Sequence, residues 1–315
     1  MRRPARLAVV TAATTTAVGL AVPAAFSAPA TGTPAGTPTV DPMQHIAALQ
    51  QIADDNGGNR AALSPGSRAT AAYIKQQLSD AGWEVSTQSF PFLSGTEENI
   101  FAERKGTTGD VVMLGGHYDS VPEGPGMSDN ATGVAGLLAA AAATADAQPR
   151  NTIRLAFWGG EERGMKGSNY YVDTMSAADR ATFKGYLNFD GIAAPNPGYY
   201  VYEDNKNGEQ INADISKWYA DRGIQTEQAF LGVQSDHGPF YTKGLTTTGI
   251  ISGYLGNKTE AQAQKWGGTA GAPFDPCYHQ ACDTKDNISP ETLKLNTQLI
   301  TSLITDYGAK DFSAA

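Results

Sequence analysis

Seven side chains in this sequence are of the types that bind a divalent cation and move a proton beside it: His117, Asp119, Asp129, Glu161, Glu162, Asp190 and His279. Most of them close short apolar runs. Val111 to Gly116 leads into His117-Tyr118-Asp119, Ile153 to Gly160 into Glu161-Glu162, and Gly185 to Phe189 into Asp190. Imidazole and carboxylate are the donor groups that zinc accepts. A cation held by such groups lowers the pKa of water, and a neighbouring carboxylate can take the proton. The chemistry this set points to is metal-assisted hydrolysis.

Each residue has a plainer reading when taken singly. A lone His117 would be a strand-end histidine satisfied by backbone, but Asp119, two residues on, can fix its second ring nitrogen and raise its basicity. Asp129 lies in Gly126-Met127-Ser128-Asp129-Asn130-Ala131-Thr132-Gly133, directly before an alanine-rich stretch. There it either caps a helix or offers one oxygen to each of two cations. Glu161 and Glu162 repel each other and lose hydration at the end of an apolar strand unless cations compensate them. On an irregular turn, adjacent residues point apart, so one can bind metal while the other faces the attacking water. Asp190 ends a buried strand with no basic residue following it. In Cys277-Tyr278-His279-Gln280-Ala281-Cys282 the chain's two cysteines stand five apart, and in an exported protein they are expected to pair. The bond would close a short loop, worth ~2 kcal/mol on the chain-entropy view, and would hold Tyr278 and His279 in one geometry.

Those residues need a scaffold. Short apolar runs separated by helical stretches read as buried strands of a largely parallel sheet, whose ligands gather beyond the carboxyl ends of the strands. Further strands are expected at Glu84 to Phe90 and Asn99 to Glu103. Helices are expected from Asp41-Pro42 to Ile52, over Ser67 to Leu78 with Gly82 past the end, and over Thr132 to Ala147, Glu209 to Arg222 and Pro290 to Tyr307. Asn56-Gly57-Gly58-Asn59 reads as a turn. No repeat or compositional break divides the chain, and residues 41–310 are expected to form one α/β domain.

Residues 1–30 have the pattern of a secretory signal peptide. Arg2, Arg3 and Arg6 precede an uncharged run, and Ala28-Pro29-Ala30 is a small-x-small cleavage site. Residues 31–40 are a Pro/Gly/Thr linker or short pro-segment. Export would remove three arginines and no acids, leaving 20 basic against 32 acidic residues and moving the formal charge from −9 to −12. That balance argues against nucleic acid or an anionic membrane as a partner, and a monomer is expected.

The residues also carry a resemblance. Gly116-His117-Tyr118-Asp119-Ser120, Ser128 to Gly133, Trp158-Gly159-Gly160-Glu161-Glu162, Leu187-Asn188-Phe189-Asp190 and Cys277-Tyr278-His279 are similar to the secreted two-zinc aminopeptidases of the Streptomyces type, family-twenty-eight metallopeptidases. The similarity runs from about Gln51 to Asn287. It implies a zinc-exopeptidase-like fold, a central mixed and mostly parallel sheet flanked by helices. It also implies two zinc ions, with His117 and Asp190 on one, Glu162 and His279 on the other, and Asp129 between them. Glu161 would be the general base, Tyr278 would donate to the oxyanion and Asp119 would support His117. The implied substrates are peptide or protein N-termini.

Departures bear on specificity. Gln234 stands where the family has an arginine before Ser-Asp-His, Gly191 where it has a methionine, and Ile251 near its phenylalanine. All three would border the side-chain pocket, so a leucine preference does not carry over. No clear acidic cluster supports the calcium site of some relatives. His237 is read as a cap of the following helix, with a place near the pocket as the alternative, and His45 as an exposed helix residue. A one-zinc glutaminyl cyclase-like enzyme would share the scaffold but not the second ligand set. A silent binding domain would be expected to lack ligands or the base. Serine chemistry has no G-x-S-x-G elbow here, and contiguous Ser235-Asp236-His237 cannot form a triad. A thermolysin-like site would need H-E-x-x-H.

Overall fold

Alternation along the central strands builds the core. Residues 41–314, apart from Tyr254, are described by a computed structural model; the expected leader and linker, 1–30 and 31–40, lie outside the described residues. The strands are β1 (Glu84–Phe92), β2 (Gly95–Arg104), β3 (Val111–His117), β4 (Thr152–Trp158), β5 (Phe183–Phe189), β6 (Tyr200–Tyr202), β7 (Glu227–Ala229) and β8 (Thr247–Ile251). They form one sheet in the order β1-β2-β4-β3-β5-β8-β6-β7. β4, β3, β5 and β8 run parallel side by side. β1 and β2 pair antiparallel, as do β2 and β4, and β6 and β8.

Successive side chains on a strand face opposite ways. Val112, Leu114, Ile153, Leu155, Phe157, Leu187 and Phe189 pack into the larger core, while Met113, Ala156, Trp158 and Tyr186 pack into a smaller one on the other face. The helices are α1 (Pro42–Asp55), α2 (Pro65–Asp80), α3 (Thr132–Ala143), α4 (Lys166–Thr174), α5 (Ala177–Thr182), α6 (Glu209–Ala220), α7 (His237–Thr242), α8 (Glu260–Trp266) and α9 (Pro290–Ala309). α1, α2, α3, α6 and α9 contribute to the larger core; Tyr171 and Val172 of α4 and Phe240 of α7 belong to the smaller. The result is a single α/β domain with a mixed sheet between helices.

α3 ends at Ala143, four residues earlier than its composition suggests, with Thr144 leaving helical geometry as its C-cap. Asp41 caps α1 as expected, accepting from Met43 N at 3.1 Å. Two histidine expectations are corrected. His45 is buried, with Nδ1 2.7 Å from the Tyr73 hydroxyl. His237 is fully buried and is the first residue of α7; its Nε2 lies 3.0 Å from Asp204 Oδ2, so it caps nothing.

Register sets the site. His117 pairs with Trp158 across β3 and β4, and Gly115 with Asn188 across β3 and β5, so these parallel strands finish level at one rim.

Candidate metal centre

Beyond that rim the chain turns sharply three times. After β4, Gly160 takes φ +69, and a Cβ there would sit 2.7 Å from the Phe92 ring, so only glycine allows the Glu161-Glu162 turn. Gly126, at φ +67, opens the turn that carries Asp129. The peptide joining Asp129 to Asn130 is cis. His279 adopts φ +58, a conformation uncommon for a residue with a side chain, inside the loop closed by the Cys277–Cys282 disulfide.

The ligand-type atoms meet in two sets. His117 Nε2 lies 3.0 Å from Asp129 Oδ1 and 3.3 Å from Asp190 Oδ1. His279 Nε2 lies 3.2 Å from Asp129 Oδ2 and 3.1 Å from Glu162 Oε2. Asp129 thus offers one oxygen to each set. Two donors about 2.0–2.1 Å from one tetrahedral zinc stand roughly 3.3 Å apart, which is the spacing seen here. Asp129 Oδ1 and Glu162 Oε1 are buried with no hydrogen-bond donor, as cation ligands would be. His117, Asp129 and Glu162 also bring ligand atoms within 4.8 Å of one another. The residues fit a bound divalent metal.

Their electrostatics agree. Burial pushes the Glu162 carboxyl up to about 7, and Asp129 pushes the same way while His279 opposes. Glu161 is raised well above the carboxylate range by burial and by Asp236, Asp190 and Glu162, with His117 opposing. Burial disfavours charge on His279, yet Asp129 and Glu162 hold it up at about 10. His117 is likewise raised, against burial, chiefly by Asp190 and Glu161. Asp129 falls below the carboxylate range despite burial, because both imidazoles lie against it. So many buried acids around two histidines form a site of high cation affinity.

Outer contacts hold these side chains, and several were not evident from the sequence. Asp119 is fully buried; its carboxylate accepts the backbone N–H of Glu161 at 3.1 Å and of Glu162 at 3.4 Å. Its Oδ1 is 3.7 Å from His117 Nδ1, whereas its main-chain carbonyl is at 3.1 Å and is the nearer partner of the ring. The carboxylate therefore acts chiefly on the glutamate turn. Asp190 is oriented by a relay: Trp158 Nε1 donates to the Tyr186 hydroxyl at 2.7 Å, which donates to Asn188 Oδ1 at 2.6 Å. Asn188 Nδ2 then donates to Ser235 Oγ at 2.7 Å, and Ser235 to Asp190 Oδ2 at 2.6 Å. Asn130 ties the Asp129 turn to β5, donating to the Phe189 carbonyl at 2.9 Å and accepting from Gly191 N at 3.1 Å. Asp283 accepts from Ser128 N at 2.8 Å and Asp129 N at 3.2 Å. The only prior sign of Asp283 was an acid next to Cys282.

A cavity of about 270 Å³ opens above the ligands, lined by Asp129, Glu161, Glu162, Asp190, Tyr278 and His279 together with Met165, Leu255 and Asp275. The Tyr278 ring stacks on His279, centroids 3.8 Å apart. Of the three residues expected at a side-chain pocket, Gly191 and Gln234 line this cavity. Ile251 does not; it lies buried behind Gly191, 3.8 Å from where a Cβ would stand. A larger cavity of about 390 Å³ beside Trp83 and Arg104 has no such cluster of ligand-type side chains.

The chain belongs to Peptidase family M28, which matches residues 99–304, and so to the peptidases. It is 42% identical over 276 residues to Leupeptin-inactivating enzyme 1 of Streptomyces exfoliatus, covering 86% of this chain and 62% of that protein. It is 40% identical over 209 residues to an aminopeptidase of Pseudomonas aeruginosa, covering 63% of this chain and 39% of that one. The chain thus spans between about two fifths and three fifths of these relatives' lengths. A zinc aminopeptidase from Bacillus subtilis shares the fold, with a TM-score of 0.72 at 17% identity over 88% of this chain and 97% of that one.

Proposed function

We propose that this protein is a secreted aminopeptidase that hydrolyses the N-terminal peptide bond of peptides with the help of two zinc ions. The observation that supports it best is the sharing of Asp129 between two imidazole–carboxylate sets, His117 with Asp190 and Glu162 with His279. Zinc bound to these sets supplies Lewis-acid polarisation of the scissile carbonyl and a water of lowered pKa.

The chain's own groups do the rest. Glu161, at the cavity wall and tethered through its N–H to Asp119, takes the proton of the attacking water and returns it to the leaving amine. Tyr278 donates to the developing oxyanion, a contact whose loss typically costs about 10²–10³-fold in rate. The acids of the wall attract the α-ammonium of a peptide and so select its free N-terminus. Met165, Gly191, Gln234 and Leu255 surround the substrate's first side chain. Residues 1–30 act as signal peptide, 31–40 as linker or pro-segment and 41–310 as a monomeric catalytic domain.

Aminoacyl anilides and their N-acetyl forms, assayed with and without a chelator, test the reading. Free-amine substrates should turn over, chelation should stop them, and the acetylated forms should resist. Equal rates on both forms would defeat the exopeptidase assignment.

A further inference from the structure

Arg60 precedes residues 99–304, where the family match lies, although the resemblance read from the sequence reaches back to it, and no role falls to it in the chemistry above. It is nonetheless fully buried. Its Nε donates to the Pro125 carbonyl at 2.9 Å, its Nη2 to the Gly126 carbonyl at 2.6 Å, and its Nη1 to the Tyr118 carbonyl. Its own backbone brackets Ser120: Arg60 N donates to Ser120 Oγ at 2.9 Å, and Ser120 N donates back to the Arg60 carbonyl at 3.4 Å. Among the described residues, Arg60 forms no direct ion pair. It is a buried cation whose fork donates to three main-chain oxygens.

Those carbonyls stand at the two ends of one loop. Tyr118 lies between His117 and Asp119, while Pro125 and Gly126 lead into the turn bearing Asp129. The loop leaves β3 with one ligand and arrives at the second, and the guanidinium spans its base. Gly126 lets the fork in close, since a Cβ there would lie 3.1 Å from Arg60 Nη2. Without Arg60, three buried carbonyls would lose this donor, and a buried polar group left unpaired is costly. The charge acts in the same place. Burial pulls the guanidinium down to about 10, so it stays protonated at neutral pH, and Asp119, Asp283, Asp129 and Glu162 oppose that loss.

We infer that Arg60 is a positioning residue of the metal centre: its fork clamps the base of loop 118–126 and so sets the spacing of His117 and Asp129 that the first ion requires. This rests on the two-zinc reading. A lysine keeps the charge and most of the volume but cannot bridge three carbonyls, so R60K isolates the fork, and R60M removes the charge as well.

The test is stepwise zinc uptake by metal-stripped wild type, R60K and R60M, measured by competition with a chromophoric chelator, alongside thermal melting of the metal-free proteins. Wild type should take up two equivalents. In R60K one of the two affinities should fall about 10–100-fold, as on loss of other outer contacts to metal ligands, with the other step changed less. If R60K melts lower but binds both ions with wild-type affinity, Arg60 is merely structural and the inference is overturned. Should R60M fail to fold, R60K decides alone. A wild type that takes up one equivalent defeats the two-zinc reading instead, and Arg60 then stands or falls on whether R60K weakens that single ion.

Discussion

Asp119 joins the imidazole side of the centre to the glutamate turn, and replacing it separates two effects. In Asp119→Ala the side chain no longer accepts from Glu161 N or Glu162 N, at present 3.1 and 3.4 Å away. A hydrogen bond to a charged acceptor contributes about 1.5–3 kcal/mol. One of these is long and both are only part-buried, so the pair together contributes about 3 kcal/mol. For a domain of this size that lowers Tm by roughly 5 °C. Catalysis should suffer more than folding: the turn that aims Glu161 loses its anchor, and kcat/KM on an aminoacyl anilide at saturating zinc should drop about 10–100-fold. Zinc affinity at the His117 set should change less, because the Asp119 carbonyl, 3.1 Å from Nδ1 and nearer than the carboxylate, survives the substitution. Asp119→Asn keeps one acceptor and should fall between. Steady-state kinetics, chelator competition and melting on the three proteins read all of this. If Asp119→Ala turned over at the wild-type rate with zinc in place, the carboxylate would not be positioning the base.

Three further outcomes follow from other parts of the molecule. Glu161→Gln should lose about 10²–10⁴-fold in kcat while metal analysis still finds zinc bound, and near-normal turnover would remove Glu161 from the proton path. Cys277→Ser with Cys282→Ser frees the loop that holds His279 at φ +58; about 2 kcal/mol of stability should go and zinc uptake should weaken, both visible in melts with and without metal. His45 predicts a pH effect remote from the site. Burial lowers its pKa from 6.5 to about 4, so between those values the unfolded chain takes up a proton that the folded one refuses. Stability falls as pH drops through that window, by up to about 3 kcal/mol, and levels off below it. His45→Gln should gain on wild type by that amount in melts compared at pH 7 and pH 4, and parallel curves would show that the imidazole is not kept neutral.

The strands and most of the side chains that meet at the rim were legible because their signal is local. Val112 and Leu114 face one core and Met113 the other, a period of two that any reading of the run recovers, and a parallel strand delivers its next polar residue to the rim whatever follows. His45 was misread although its signal is local too: Pro42, His45, Ile46, Leu49 and Ala53 are the buried residues of α1, and that three-and-four spacing places the imidazole on the inward face. His237 had no such sign, since its partner Asp204 stands 33 residues away. The same distance problem hides the groups that aim the rim side chains. Asp283 reaches the Asp129 turn across 154 residues, Ser235 reaches Asp190 across 45, and Arg60 reaches Tyr118 across 58. Each is an ordinary polar residue whose role exists only once loops close. Periodicity carries the scaffold, whereas the tenths of an ångström that put Asp129 between two imidazoles come from buried polar groups with partners far along the chain. A site built in this way should lose metal affinity through substitutions at residues that never touch the metal.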